Sequence, residues 1–281
     1  MVNYEAELKD YHKNGYGLIH NFLSQEEVDE LVKEMKDIVE NLDLNEHRSI
    51  IAPGNLHRPT DYYMASGDKA GFFFEQKAFN EKGELILPRS LCLQKLGHGL
   101  HLGNEKFYKV TFNDRVKSVL KAINYQDPAV CQGIVVFKNP RTGSEVTPHK
   151  DLEFLFTEPV DSLCALWIAL TDVTTENGCL EVIPGSHVEP PHRRFIRSVD
   201  ENGVKVAFDG PPKEFEDSAF VPVPVPRGSC LVFDGALVHR SQPNTSDKPR
   251  PAYAVHVIDE NKGKWSDKCW LQISRPFPKV Y

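Results

Sequence analysis

The sequence contains no CxxC pair and no local cluster of cysteine with histidine. Its six cysteines (Cys92, Cys131, Cys164, Cys179, Cys230 and Cys269) are scattered over 281 residues, which argues against a disulfide framework and against a structural zinc site. Most of them stand among apolar neighbours, as in Leu163-Cys164-Ala165-Leu166, where cysteine behaves as a small buried hydrophobe. The chain also lacks an excess of positive charge: its formal net charge is -7, so a generally basic surface for nucleic acid is excluded and no nucleic-acid partner is expected. No apolar run approaches the roughly 18 residues of a membrane span. Met1-Val2-Asn3-Tyr4-Glu5 has no basic segment leading into an apolar core, and Pro278-Lys279-Val280-Tyr281 is not a peroxisomal tail, so a cytoplasmic protein with no membrane partner is expected. Asn244-Thr245-Ser246 matches a glycosylation sequon but is read as loop chemistry in that setting. Nothing in the composition fixes an oligomeric state.

What is present is enough apolar material, 40% of residues, for one sizeable core, and a single domain over residues 1–281 is expected. Ser24 and Glu27 form a capping-box pair ahead of Val28, Leu31, Val32, Met35, Ile38, Val39 and Leu42, the spacing of an amphipathic helix. Tyr16–His20 reads as a short strand before it, and residues 43–60, with Pro53, Gly54 and Pro59, read as a loop. The stretch from there to about Pro88 is irregular or β. Between Lys106 and Asn124 one or two more helices are expected, with Asn113 or Asp114 as a cap. From Val130 the character changes to short runs rich in β-branched and aromatic residues at 130–138, 163–170, 179–183, 220–225, 229–233 and 251–258. Such a rhythm implies a sandwich or barrel such as a jelly roll. The expected fold is therefore mainly β with flanking helices: a helical and β buttress over 1–125, a jelly-roll core over 126–260, and a lid-like insertion over 190–218, which is long, polar and rich in Gly and Pro. The basic run His192-Arg193-Arg194-Phe195-Ile196-Arg197 within it is read first as a solvated edge and second as an anion-docking patch.

The strongest chemical signal is Thr147-Pro148-His149-Lys150-Asp151. On an extended backbone, side chains two apart share a face, so His149 and Asp151 can converge on one ion while Lys150 points away. An open facial site for non-haem iron needs a further histidine. His239 is preferred over His98, His101, His187, His192 and His256, because Arg250 follows it eleven positions on, at the start of the apolar run Pro251-Ala252-Tyr253-Ala254-Val255. A dicarboxylate needs such a group, since the planar guanidinium grips a carboxylate with two charge-assisted hydrogen bonds. Ser241, two residues past His239, is placed to add a hydroxyl.

At these residues the sequence resembles the phytanoyl-CoA dioxygenase family over nearly its whole length. The resemblance is carried by Gly15-Tyr16-Gly17-Leu18-Ile19-His20-Asn21-Phe22-Leu23-Ser24, Gly67-Asp68-Lys69, Phe72-Phe73-Phe74-Glu75, Lys95-Leu96-Gly97-His98, the His-x-Asp triplet, and above all Glu176-Asn177-Gly178-Cys179-Leu180-Glu181-Val182-Ile183-Pro184-Gly185-Ser186-His187. It implies a double-stranded β-helix of the cupin-like kind and an Fe(II) site from His149, Asp151 and His239. It further implies 2-oxoglutarate contacts from Lys95, Ile134, Trp167, Ser241 and Arg250, together with the metal-binding His149 and Asp151. By pattern alone, Trp167 and Ile134 would be core strand residues. The implied reaction is that of a 2-oxoglutarate-dependent dioxygenase, with O2 as oxidant. It oxidatively decarboxylates 2-oxoglutarate to succinate and CO2 and hydroxylates an unidentified small-molecule or lipid-like substrate, the cofactor carrying the hard chemistry. Asp151 argues against the halogenating variant, in which the carboxylate ligand is lost. Two other readings remain open: a hydroxylase or demethylase of a macromolecule, and a metal-binding cupin-like protein without turnover.

Overall fold

Alternation of side chains along the strands separates two interiors, and the site is built on one of them. The computed structural model describes residues 2–43, 49–50, 61–201 and 203–281. Within it an eight-stranded sheet runs in the order β1 (Tyr16–Ile19), β13 (Cys230–Asp234), β8 (Leu163–Ala169), β15 (Ala252–Asp259), β5 (Pro128–Val136), β4 (Leu93–His98), β3 (Ala70–Phe74) and β2 (Ser49–Ile50). A second sheet of four short strands has the order β12 (Val221–Val223), β9 (Leu180–Val182), β14 (His239–Ser241) and β6 (Val146–His149). Two further antiparallel pairs are the hairpin of β10 (Phe195–Asp200) with β11 (Gly203–Phe208), and β7 (Thr157–Glu158) with β16 (Lys264–Trp265). The large sheet is antiparallel apart from the β2–β3 pair.

Register shows which residues share a face. Ala254 pairs with Ile134 on one side and Trp167 on the other, and Trp167 pairs with Leu231. This row packs with Val182, Leu180 and Val223 of the small sheet in one apolar cluster, so it lines the space between the two sheets. The opposite face, with Val135, Tyr253, Val255, Leu166 and Val232, packs against Val28, Leu31, Phe107 and Val116 of the helices. Strands covered on both faces lose the simple alternation of polar and apolar residues, and every residue of β8 and β15 is buried. Two facing antiparallel sheets closing over one interior make the jelly roll expected from the sequence.

The helices form where the caps place them. Ser24 accepts from the Glu27 N–H while Glu27 returns a bond to the Ser24 N–H, opening the helix Gln25–Glu40. Val28, Leu31, Met35 and Val39 of that helix are buried. Asn104 and Asn113 cap the helices Glu105–Thr111 and Asp114–Ala122, so the cap between them is Asn113 and not Asp114.

The expected strands of the second half are present with ends shifted by one or two residues. Residues 43–60, read as a loop, lie almost wholly outside the described residues. Two expectations need refining. The aromatic stretch before Pro88 contributes β3 to the main sheet, and residues 190–218 contain the hairpin β10–β11. Gly203, at φ +106° where β11 begins opposite Asp200, stands between two Val-containing runs, a hairpin pattern that the polar composition of the segment masked. All six cysteines are buried and unpaired. Asn244 is itself buried and its amide donates to the Lys138 and Lys248 carbonyls, as expected of a loop-forming asparagine. Among the described residues no helix is long and apolar enough to cross a membrane.

Candidate active site

Strand β6 ends at His149, and the chain then turns through one 3-10 turn, Asp151–Glu153. His239 opens β14 and pairs directly with His149. The Asp151 Oδ1 atom lies 3.5 Å from His149 Nε2 and 3.6 Å from His239 Nε2, and the two rings are 4.3 Å apart between centroids. One ligand atom from each of the three residues falls within 4.8 Å of the other two, the spacing of a set able to share one ion.

Both rings are oriented from behind. His149 Nδ1 is 2.8 Å from the Thr147 carbonyl and His239 Nδ1 is 3.0 Å from the Leu237 carbonyl. A carbonyl only accepts, so each Nδ1 carries a proton and each Nε2 is turned toward Asp151, able to offer its lone pair to an ion whenever the ring is neutral. This is the usual way in which a ligating histidine is held. Burial alone would raise the Asp151 pKa. The charges of His239 and His256 and hydrogen bonds from His149 and His256 outweigh it, and the carboxyl lies well below the usual carboxylate range. Burial and the neighbouring His149 push His239 down to about 4. For His149, burial opposes the cation but the adjacent Asp151 prevails and raises its pKa. The site therefore offers one carboxylate and, at His239, a free imidazole nitrogen. Lys150 points away, as expected: its ammonium donates to the Ser186 and Glu189 carbonyls.

Arg250 is 2% exposed, and its Nε and Nη1 have no hydrogen-bond partner among the described residues. Its guanidinium carbon stands 5.2 Å from the Trp167 ring centre. Burial lowers its pKa to about 10, so it is charged at neutral pH. A buried, unpaired cation is costly unless an anion meets it.

Residues 11–252 match the phytanoyl-CoA dioxygenase (PhyH) family. The chain belongs to that family. It is 38% identical to the phytanoyl-CoA dioxygenase domain-containing protein 1 homolog of Caenorhabditis elegans, covering 96% of this chain and 97% of that one. It is 37% identical to a phytanoyl-CoA dioxygenase of Arabidopsis thaliana, covering 98% and 95%. Among solved structures it is similar in fold to the epimerase SnoN in complex with Fe3+, alpha ketoglutarate and nogalamycin RO (TM-score 0.62, 16% identity, 99% of this chain and 98% of that one). It is likewise similar to EctD from S. alaskensis in its apoform (TM-score 0.62, 17% identity, 96% and 81%).

In this PhyH member the remaining residues singled out from the sequence fall on the same interior with different standing. Trp167 and Ile134 flank Ala254 in one cross-strand row, and Ile134 also fills the space beside Gly97, where a Cβ would come within 2.4 Å of its Cγ2. Lys95 lies opposite Val136 on β4. Its ammonium is 5.2 Å from the Phe73 ring centre, and burial pushes its pKa down to about 8. Ser241 is buried, and its Oγ accepts from the Lys138 ammonium at 2.8 Å.

Sequence reasoning passed over two members of this constellation. His256, considered only as a rival ligand, stands behind Asp151 with its Nε2 3.1 Å from Oδ2. Lys138 gave no signal, because a lysine closing an expected strand, as at 130–138, reads as surface. Conversely, the basic run in the 190–218 segment is not a free patch: Arg193 pairs with Glu153 at 2.7 Å and Arg194 with Asp161 at 2.6 Å, with their guanidinium carbons 3.8 Å and 4.4 Å from the Phe208 and Phe156 ring centres.

Proposed function

We propose that this PhyH-family protein is an Fe(II)- and 2-oxoglutarate-dependent dioxygenase, with His149, Asp151 and His239 holding the iron and Arg250 the distal carboxylate of 2-oxoglutarate. The observation that carries the reading is the pairing of an open three-ligand set with a buried guanidinium that has no anion of its own. A binding protein without turnover has no need of both. When bound, iron and 2-oxoglutarate would let O2 act as the oxidant, one of its oxygen atoms going to succinate as CO2 leaves and the other to the hydroxylated substrate. The chain's own part is to hold and orient. Thr147 and Leu237 fix the imidazoles, His256 holds the carboxylate, and Ser241 and Lys95 add a hydroxyl and a cation toward the co-substrate. Trp167 and Ile134 wall its chain.

A small apolar substrate is favoured over a macromolecule. Phe154 stands 5.7 Å from His149 between ring centres, edge on, and packs against Phe195 and Phe208 of the hairpin β10–β11. These contacts support the reading of the hairpin, within the lid-like residues 190–218, as an aromatic roof over one side of the metal centre that would limit access of water. Arg193 and Arg194 are paired internally, so two of the three arginines of this basic run are not available to the phosphates of an acyl-CoA.

The test is anaerobic titration of the purified protein with Fe(II) and 2-oxoglutarate, following the visible metal-to-ligand charge-transfer band, then exposure to O2 and measurement of succinate. A band followed by succinate supports the dioxygenase. Iron bound loosely, with no band on adding 2-oxoglutarate, would overturn it in favour of the binding protein.

A further inference from the structure

Lys138 lies two residues past β5 and directly across from Arg250. Val136 pairs with Ala252, and the next step outward is closed by the Arg250 N–H donating to the Lys138 carbonyl. The Lys138 side chain turns inward, where its ammonium reaches Ser241 and feels the charge of Arg250, so two cations stand near one another in a buried place. Lys138 is 3% exposed. Like charges facing each other across strands destabilise a sheet, and burial makes the repulsion stronger.

The surroundings do not cancel this charge. Lys138 donates to the Ser144 carbonyl at 2.9 Å, to Ser241 Oγ at 2.8 Å and to the Ser241 carbonyl at 3.4 Å, all neutral. The acidic groups facing it are Glu75, itself buried, and Glu145, and no ion pair within 4.0 Å joins either of them to Lys138 or Arg250 among the described residues. The fold nevertheless goes to some length to keep the lysine inside. Its backbone has φ +38°, an uncommon conformation for a residue with a side chain. Its aliphatic chain lies against Gly178, where a Cβ would come within 2.6 Å of Lys138 Cε. Gly178, at φ +82°, therefore has two reasons to lack a side chain.

The hydrogen bond to Ser241 has a directional consequence. An ammonium can only donate, so Ser241 Oγ accepts from Lys138 and its own proton must go elsewhere. From these observations we infer that Lys138 is a positioning residue for the co-substrate's distal carboxylate: it turns the Ser241 hydroxyl outward as a donor to that group and adds the second positive charge of the pocket. This rests on the dioxygenase reading above and names how its anion pocket is completed. Burial first, then Arg250, pushes the Lys138 pKa down to about 7, against the opposing pull of Glu75, Glu145 and Cys179. A bound carboxylate favours the charged form, so affinity for 2-oxoglutarate is full below about 7 and declines as pH rises above it.

The experiment is anaerobic titration of the Fe(II)-loaded protein with 2-oxoglutarate and, separately, with pyruvate, a 2-oxo acid that lacks the distal carboxylate, reading the charge-transfer band. Lys138→Met is expected to weaken 2-oxoglutarate by about tenfold to a hundredfold, the scale of a charge-assisted hydrogen bond, and to leave pyruvate unchanged. Lys138→Arg should recover part of the loss. In Lys138→Met the decline of affinity through about pH 7 should flatten, leaving that of Lys95 near about 8. Combined with Ser241→Ala, the two losses should be less than additive. Equal loss for both ligands would mark Lys138 as merely structural, and no loss would remove it from the pocket; either overturns the inference and leaves the dioxygenase standing. A wild-type protein that gives no band with either ligand overturns both.

Discussion

His256 Nε2 donates to Asp151 Oδ2 at 3.1 Å, while the other oxygen of the same carboxylate faces His149 and His239. One carboxylate is thus divided between a supporting strand, β15, and the proposed metal. Removing that support with His256→Phe should lower Fe(II) affinity by roughly tenfold to a hundredfold, the usual cost of losing a partner behind a metal ligand, without abolishing binding. Metal content after dialysis against a graded chelator measures this, and unchanged retention would show that Asp151 is held by other means.

Asp151→Ala removes the only anion of the triad and leaves two neutral nitrogens. Fe(II) binding and succinate formation are expected to disappear together. Iron retained in the variant at wild-type affinity would exclude Asp151 from the site.

Arg250→Lys keeps a positive charge but loses the planar fork. Affinity for 2-oxoglutarate should fall by about tenfold or more while Fe(II) binding is unaffected. Titration of each ligand separately distinguishes the two, and an unaltered 2-oxoglutarate affinity would place the distal carboxylate elsewhere.

Ser24→Ala breaks the capping box of the Gln25–Glu40 helix, which packs on the outer face of the main sheet. A loss of about 1 kcal/mol in unfolding free energy is expected, read as a shift of the urea midpoint with an unchanged slope. The charge-transfer band should survive at low denaturant, since the helix lies on the far side of the sheet from the site.

The legibility of the fold followed the locality of its signals. Ser24, Glu27 and the apolar stripe after them lie within a few turns of chain, and the helix formed as written. The strands at β8 and β15 were visible as short apolar runs. The strand β3 was legible only as part of a stretch read as irregular or β, because its partner β4 lies about twenty residues away in the chain. The hairpin β10–β11 was obscured by the polar composition of its segment.

The sequence by itself determined the residue types and spacing of the metal set: His149 and Asp151 are neighbours in the chain, and Arg250 follows His239 at a readable interval. Its resemblance to a family supplied Lys95, and also Trp167 and Ile134, which pattern alone would assign to the core. Only the tertiary structure decided that His256 stands behind Asp151, that Lys138 faces Arg250, and that Arg193 and Arg194 are spent on Glu153 and Asp161. Each of these depends on strands far apart in the chain being brought into register. A side chain's partner across a sheet is set by that pairing, and a lysine beyond a strand end looks the same in sequence whether it meets water or a buried serine.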